Sequence, residues 1–207
     1  MIPILSILIP SIPSRRNKLL RLWDKVMMQS ETMSMTHPTL GVVERLFDDG
    51  RAFNDGGLSI GKKRQELVTR ASGRYLCFLD DDDDIAPNYI ETLVRLCHKN
   101  QDVVTFRNFT TTDFYWTLID MSLHHKEDEQ ATPERIVKRK PWLVCPVRSE
   151  YAKRFEFPDT NYGEDATWMS QVLTLCKHEV HTDQILSSYR HSGKTSEADK
   201  IIKAGYV

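Results

Sequence analysis

The stretch GKKRQELVTRASGRYLCFLDDDDDIAP, residues 61–87, decides how the chain folds. Its opening reads as a helix from about Ser59 to Ala71, stopped by Gly73. Arg74 to Leu79 is an apolar run suited to a central strand, and five aspartates, Asp80 to Asp84, follow it at once. Upstream, Ile4 to Ile9 reads as a first strand. Ser14 then caps a helix with Leu19, Leu22, Trp23 and Val26 at helical spacing. Leu40 to Phe47 reads as a second strand ending in the turn Asp48, Asp49, Gly50, whose carboxylates emerge at the edge where open α/β sheets bind ligands. Downstream, Pro87 suits the first turn of a helix reaching about His98, and Asp102 to Phe109 is the next strand. Residues 110–140 give a weak pattern and read as a loop or mobile insertion. Trp142 to Val147 is a predicted strand, Glu164 to Cys176 a helix, and Ile185 to His191 a last strand before a polar tail. Strands alternating with helices predict an α/β fold in three layers, with a mainly parallel central sheet and crossover helices.

A length of 207 residues fits one domain, residues 1–207, with two halves meeting near residue 109. The 28 basic and 29 acidic side chains leave a net charge of −1, which excludes a global basic field for nucleic acid. Cys77, Cys97, Cys145 and Cys176 form no C-x-x-C pair and sit in apolar stretches, a pattern expected of a reducing cytoplasm. The segment MIPILSILIP lacks a basic start, is broken by Pro3 and Pro10, and is too short to span a bilayer. It reads as a buried strand, and no transmembrane segment is expected.

Five adjacent carboxylates repel one another, and a divalent cation relieves that repulsion; Mg²⁺ and Mn²⁺ prefer oxygen ligands. The run also reads as a solvated acidic loop, but its place directly after a buried strand favours the metal. Alternation along an extended chain would aim Asp80 and Asp82 at one site and Asp81 elsewhere. Asp80, Asp82, Asp84, Asn88 and Glu91 also fall on five ligand places of a calcium loop. Against that pattern, Ile85 stands where the turn needs glycine, and Pro87 lies inside the loop.

Taken together, these segments resemble family 2 glycosyltransferases of the GT-A fold over nearly the whole chain. SILIPSIPSR resembles the family's first strand and nucleotide-contacting turn, and LFDDG its acidic turn. The 61–87 stretch resembles its helix, strand and metal motif in unbroken order, with the Asp-x-Asp-Asp pattern on Asp80, Asp82 and Asp83. YGEDATWMSQV resembles the segment whose aspartate is the general base, which maps onto Asp165. The chain departs from the family in reading DDGRAFNDGG in place of the commoner DDGS form and in having Gln65 where asparagine is usual.

The resemblance implies an inverting, metal-dependent transfer from a nucleoside diphosphate sugar, a UDP-sugar being favoured, to a hydroxyl. It implies Asp82 and Asp80 on Mn²⁺ or Mg²⁺, with Asp80 on the ribose or a metal-bound water and Asp81 beside the donor. Asp48 and Asp49 belong to the nucleobase turn, with Ser11 near it, and Arg64 to the diphosphate or base. Lys63 reads instead as part of an exposed helix face. Asp165 is the expected base, with Glu164 beside it, although carboxylates there also suit a plain helix N-terminus. His191, between Arg190 and a further lysine, is a candidate metal ligand. His124, His125, His178 and His181 lack ligand spacing, and Trp116 and Trp142 read as core. Two other functions share these carboxylates: nucleotidyl transfer, releasing pyrophosphate, and a calcium-binding interaction module. The acceptor stays open among a glycan, a lipid-linked saccharide, a protein and a modified nucleic acid, the near-neutral charge weighing against the last.

Overall fold

Every residue of LSILIP, Leu5–Pro10 (β1), is buried, and this strand is the axis of the computed structural model, which describes residues 2–190 apart from 113, 131–132 and 134. A strand covered on both faces needs partners on both edges, and β1 pairs in parallel with Val43–Asp48 (β2) and Tyr75–Phe78 (β3). The crossovers are Arg16–Thr36 (α1) and Ile60–Arg70 (α2). α1 buries Leu19, Leu22, Val26 and Met33. It begins after a 3₁₀ turn at Pro13–Arg15, so Ser14 lies inside that turn and does not cap the helix. Ser59 does cap α2, its Oγ accepting the Lys62 amide at 3.1 Å.

Beyond β3 follow Asp84–Ile85 (β4), Tyr89–Cys97 (α3), Val103–Thr111 (β5), Trp116–Met121 (β6) and Ile136–Arg139 (β7). Val147–Arg148 (β8), Ser149–Ala152 (α4), Glu164–Leu173 (α5) and Glu179–Arg190 (β9) complete the order. The strands form one sheet in the order β2-β1-β3-β8-β5-β6-β7, with β9 paired to β5 and β4. The expected mainly parallel sheet is in fact mixed. β3 with β8, β8 with β5, β5 with β6, and β4 with β9 run antiparallel. The reason is the connection: helical crossovers allow parallel neighbours in the first half, whereas a turn as short as that between Thr111 and Trp116 permits only an antiparallel pair.

The same half holds three further departures. The stretch 110–140 contains β6 and β7, and β7, with sequence IVKR, is an edge strand whose charges hide its strand character. The strand expected at Trp142–Val147 is largely a turn, with the Cys145 amide donating to Trp142 O at 2.8 Å and only Val147–Arg148 pairing. Pro141 and Pro146 remove the donors a longer ladder would need. β9 starts at Glu179, six residues earlier than expected; its first half is polar and half-exposed, which hides its strand character in the sequence.

One buried cluster runs from Ile4 to Leu186 and takes residues from both halves. Two polar junctions lock it. Gly61 opens α2 against the segment 157–161, where a Cβ would stand 1.8 Å from Pro158 O and its own amide donates to Thr160 O at 3.1 Å. Around it, Ser59 Oγ donates to Asp159 (2.6 Å), the Ile60 amide to Asn161 (3.0 Å) and the Phe157 amide to Gln65 Oε1 (3.0 Å). Gln65 thus holds this segment in place. At the second junction, Asp102 accepts the Lys177 and His178 amides at 2.8 and 2.9 Å and faces Tyr151 and Arg148. Burial pushes its carboxyl up, but these partners outweigh burial and hold it below the usual carboxylate range.

Two outcomes are expected. Asp102→Asn should cost about 1.5–3 kcal/mol at neutral pH, the range for hydrogen bonds to a charged group. A carboxyl depressed in the folded state stabilises above its unfolded pKa, so the deficit should vanish as the pH falls through the carboxylate range, as seen in parallel thermal melts. Gly61→Ala should lower stability by about 1–3 kcal/mol through overpacking, read as a fall in the denaturation midpoint in urea.

Candidate active site

The parallel register of β1, β2 and β3 ends all three strands at one edge, Pro10 lying beside Asp48 and Leu8 beside Phe78. The Ser11 amide donates to Asp48 O at 2.7 Å. Lys63 crosses beneath these ends: it is 2% exposed, and its Nζ donates to Ser11 O at 2.8 Å and to Gly50 O, with Asp48 Oδ1 at 3.4 Å. Lys63 is therefore not on an exposed face; it ties the tips of β1 and β2 together. Asp48 also accepts the Gly50 amide at 2.8 Å, and Asp49 pairs with Arg16 at 2.9 Å.

The acidic run is a closed turn. The Asp83 amide donates to Asp80 O and the Asp80 amide to Asp83 Oδ2, both at 2.9 Å. Alternation fails on a turn, and the pairing differs from the expected one: Asp81 and Asp82 converge, while Asp80 faces another way. Asp81, 1% exposed, accepts Ser11 Oγ at 2.6 Å through Oδ2. Its Oδ1 lies 2.7 Å from Arg15 Nη2 without the angle of a hydrogen bond. The same Nη2 donates to Asp82 Oδ2, which also has Lys18 Nζ at 3.5 Å. Burial pushes the Asp81 carboxyl up to about 6, opposed by the Ser11 hydroxyl and Arg15. Burial, then the Asp80 charge, pushes Asp83 well above the carboxylate range.

Asp80 turns toward α5. Arg64, 4% exposed, donates from Nη2 to Asp80 at 2.9 Å and from Nη1 to Glu164, with Asp165 at 3.9 Å. Its fork, expected on a phosphate or base, is taken up by carboxylates, and its plane lies over the Phe78 ring at 5.9 Å. Burial pushes Glu164 up while Arg64 pulls it down, and burial prevails. Asp165 is partly exposed beside it and caps its own helix end through the Ala166 amide at 2.7 Å. The helix-terminus role and the proximity to Asp80 thus coexist.

β4 pairs with β9, Asp84 opposite Ser188, and this brings Tyr189 to the acidic turn. Burial first, then Asp82, Asp80 and Asp83, push its phenol up to about 12. Arg15 was visible in the quoted SIPSR motif, but no sequence signal pointed to Tyr189. His191 lies outside the described residues. The calcium-loop set does not assemble: Asp84 pairs with Lys25 at 2.5 Å, Asn88 donates to Gln184 at 2.9 Å, and Glu91 pairs with Arg95 at 2.8 Å. Trp116 and Trp142, read as core, are 41% and 40% exposed.

The donor set fits a small hard cation. Two carboxylate oxygens converge on one cationic nitrogen, and one of them, Asp81 Oδ1, is buried without a hydrogen bond. A site with two carboxylates, completed by waters and phosphate oxygens, is a common setting for Mg²⁺. Among the described residues the one group of three acidic or histidine side chains spaced for a metal is Asp120, His181 and Asp183. There Arg107 already bonds Asp120 at 3.0 Å and Asp183 at 2.5 Å.

No curated protein sequence matches the chain. Among solved structures, S. aureus TarS 1-349 superposes with a TM-score of 0.62 at 12% identity, covering 90% of this chain and 60% of that one. The same fragment in complex with UDP-GlcNAc gives 0.58 at 11% identity, covering 91% and 58%, and in complex with UDP 0.58 at 12%, covering 92% and 61%. The chain thus shares their α/β fold and spans about 60% of their length. In sequence, the model of glycosyl transferase family 2 matches residues 52–154, which carry Arg64, β3 and the whole acidic turn. Over residues 52–154 the chain is therefore a glycosyl transferase family 2 sequence.

Proposed function

We propose that the chain is a metal-dependent, inverting glycosyltransferase that moves a sugar from a UDP-sugar to an acceptor hydroxyl. One observation carries this reading: a single buried guanidinium, that of Arg64, joins Asp80 of the acidic turn to Glu164 and Asp165 at the start of α5. A donor held at the turn would place its anomeric carbon beside a partly exposed carboxylate. The family match supports the reaction class, and the TarS complexes with UDP-GlcNAc and UDP support the donor.

In this reading the Asp48–Asp49 turn and Ser11 face the nucleobase, and Asp80 faces the ribose. Asp81 and Asp82 would hold Mn²⁺ or Mg²⁺, which would supply positive charge against the charge developing on the diphosphate. Arg64 fixes Asp80 relative to α5, so its part is positioning. Asp165 takes the proton of the acceptor hydroxyl while that oxygen attacks the anomeric carbon opposite the diphosphate. The bond from that carbon to the phosphate oxygen breaks, UDP leaves with the electron pair, and the configuration inverts. Glu164 anchors the helix start through Arg64 and keeps Asp165 turned to the acceptor. The three buried free thiols, Cys77, Cys97 and Cys145, suit a reducing compartment such as the cytoplasm.

Calorimetric titration of UDP with Mn²⁺, with Ca²⁺ and with chelator tests the donor site. Asp82→Asn is expected to lose metal-dependent UDP binding. Binding of Ca²⁺ by the wild type without any nucleotide binding would sink the transferase reading. Asp165→Asn is expected to bind UDP as the wild type does and to lose about 10²–10⁴-fold in transfer rate, the usual range for a general base. Product analysis completes the test: free UDP is expected, whereas pyrophosphate would mean nucleotidyl transfer.

A further inference from the structure

Arg15 stands where a divalent ion would have to sit. Its Nη2 lies 2.7 Å from Asp81 Oδ1 and in contact with Asp82 Oδ2, the two oxygens that converge. Asp81 cannot turn away, because its other oxygen accepts Ser11 Oγ at 2.6 Å and the side chain is buried. Asp82 has a second cation, Lys18, at 3.5 Å. The carboxylates therefore carry a built-in counter-charge. Arg15 has its backbone in the 3₁₀ turn Pro13–Arg15, its side-chain ion pairs among the described residues are with these two carboxylates, and the side chain is 24% exposed, so it can swing outward once they are taken by another cation.

We propose that Arg15 is an internal competitor for the metal, and that its release couples metal binding to donor binding. This rests on the donor-site reading above. Two cations cannot share one position between the same oxygens, so an ion entering between Asp81 and Asp82 displaces the guanidinium. Arg15 follows β1 at the edge where Ser11 and Asp48 meet, which is where the nucleoside diphosphate is placed. A freed guanidinium there has a diphosphate as its nearest anion, and its planar fork matches phosphate oxygens. Ion and diphosphate each favour the released side chain, so each tightens the other, and by linkage the factor is the same in both directions. Without donor, the site discriminates against free metal.

The test reads Mn²⁺ directly, by the paramagnetic resonance signal of the free ion, with and without UDP. Wild-type protein is expected to bind Mn²⁺ weakly alone and at least about tenfold more tightly with UDP, a coupling within the usual range. Arg15→Gln is expected to bind Mn²⁺ alone at least about tenfold more tightly than wild type, with the UDP effect reduced several-fold. Arg15→Lys, which keeps the charge, should stay near the wild-type affinity. Unchanged or weaker Mn²⁺ binding by Arg15→Gln overturns the inference. So does a tightening in Arg15→Lys equal to that in Arg15→Gln. If these failures occur while wild type still binds Mn²⁺ and UDP together, the donor-site reading survives; if wild type binds no Mn²⁺ even with UDP, both fall.

Discussion

The buried guanidinium of Arg64 is the constraint on which the site depends. A charge at 4% exposure is tolerated only with partners, and it has them on two elements far apart in sequence: Asp80 after β3 and Glu164 at the start of α5. Removing either partner would leave the other charges buried and uncompensated, so the geometry resists drift. Through this one side chain the edge formed by the parallel strands and the helix bearing Asp165 become one rigid piece. The packing around it reinforces this, because Phe78 lies under the guanidinium and also meets Phe157 and Trp168 edge-on.

The acidic turn shows the same logic spread over several elements. A chain with net charge −1 concentrates five aspartates in one place, and it answers them locally: Arg15 and Lys18 on Asp81 and Asp82, Arg64 on Asp80, Lys25 on Asp84. Asp83 is handled differently. It is buried, accepts the Asp80 amide and has its carboxyl pushed well up, so it closes the turn. Five residues of one type thus have four different settings, fixed by where the turn points each of them.

This explains how much was legible in the sequence. The first half could be read because its signals are local: an apolar run for β1, a Gly73 stop for α2, and an apolar run leading into carboxylates for β3. The placement of Asp48, Asp80 and Ser11 at one edge followed from parallel strands ending together. What could not be read depended on contacts distant in sequence. Lys63 has the same composition-level signature as any helix-surface lysine, and only the strand tips above it make it buried. The partition of Asp81 from Asp80 required knowing that 80–83 is a turn and not an extension of β3. β7 and the first half of β9 carry polar, half-exposed sequences whose strand character comes from their neighbours.

The mixed sheet is the price of bringing the two halves of the site together. A purely parallel arrangement would leave the C-terminal strand unable to return against β4, yet it is this antiparallel pair that carries Tyr189 to the acidic turn. β9 can do so because it also runs parallel to β5, with register shifts near Arg107 that let one strand serve two neighbours. On the other side of the turn, the segment 157–161 is fixed on α2 by Ser59, Gly61 and Gln65, and Gly163 in the left-handed region at φ 73° turns the chain into α5. Helix α2 therefore supplies both ends of the constraint. Its N-terminus seats the segment leading to Asp165, and one turn later its Arg64 clasps the carboxylates themselves.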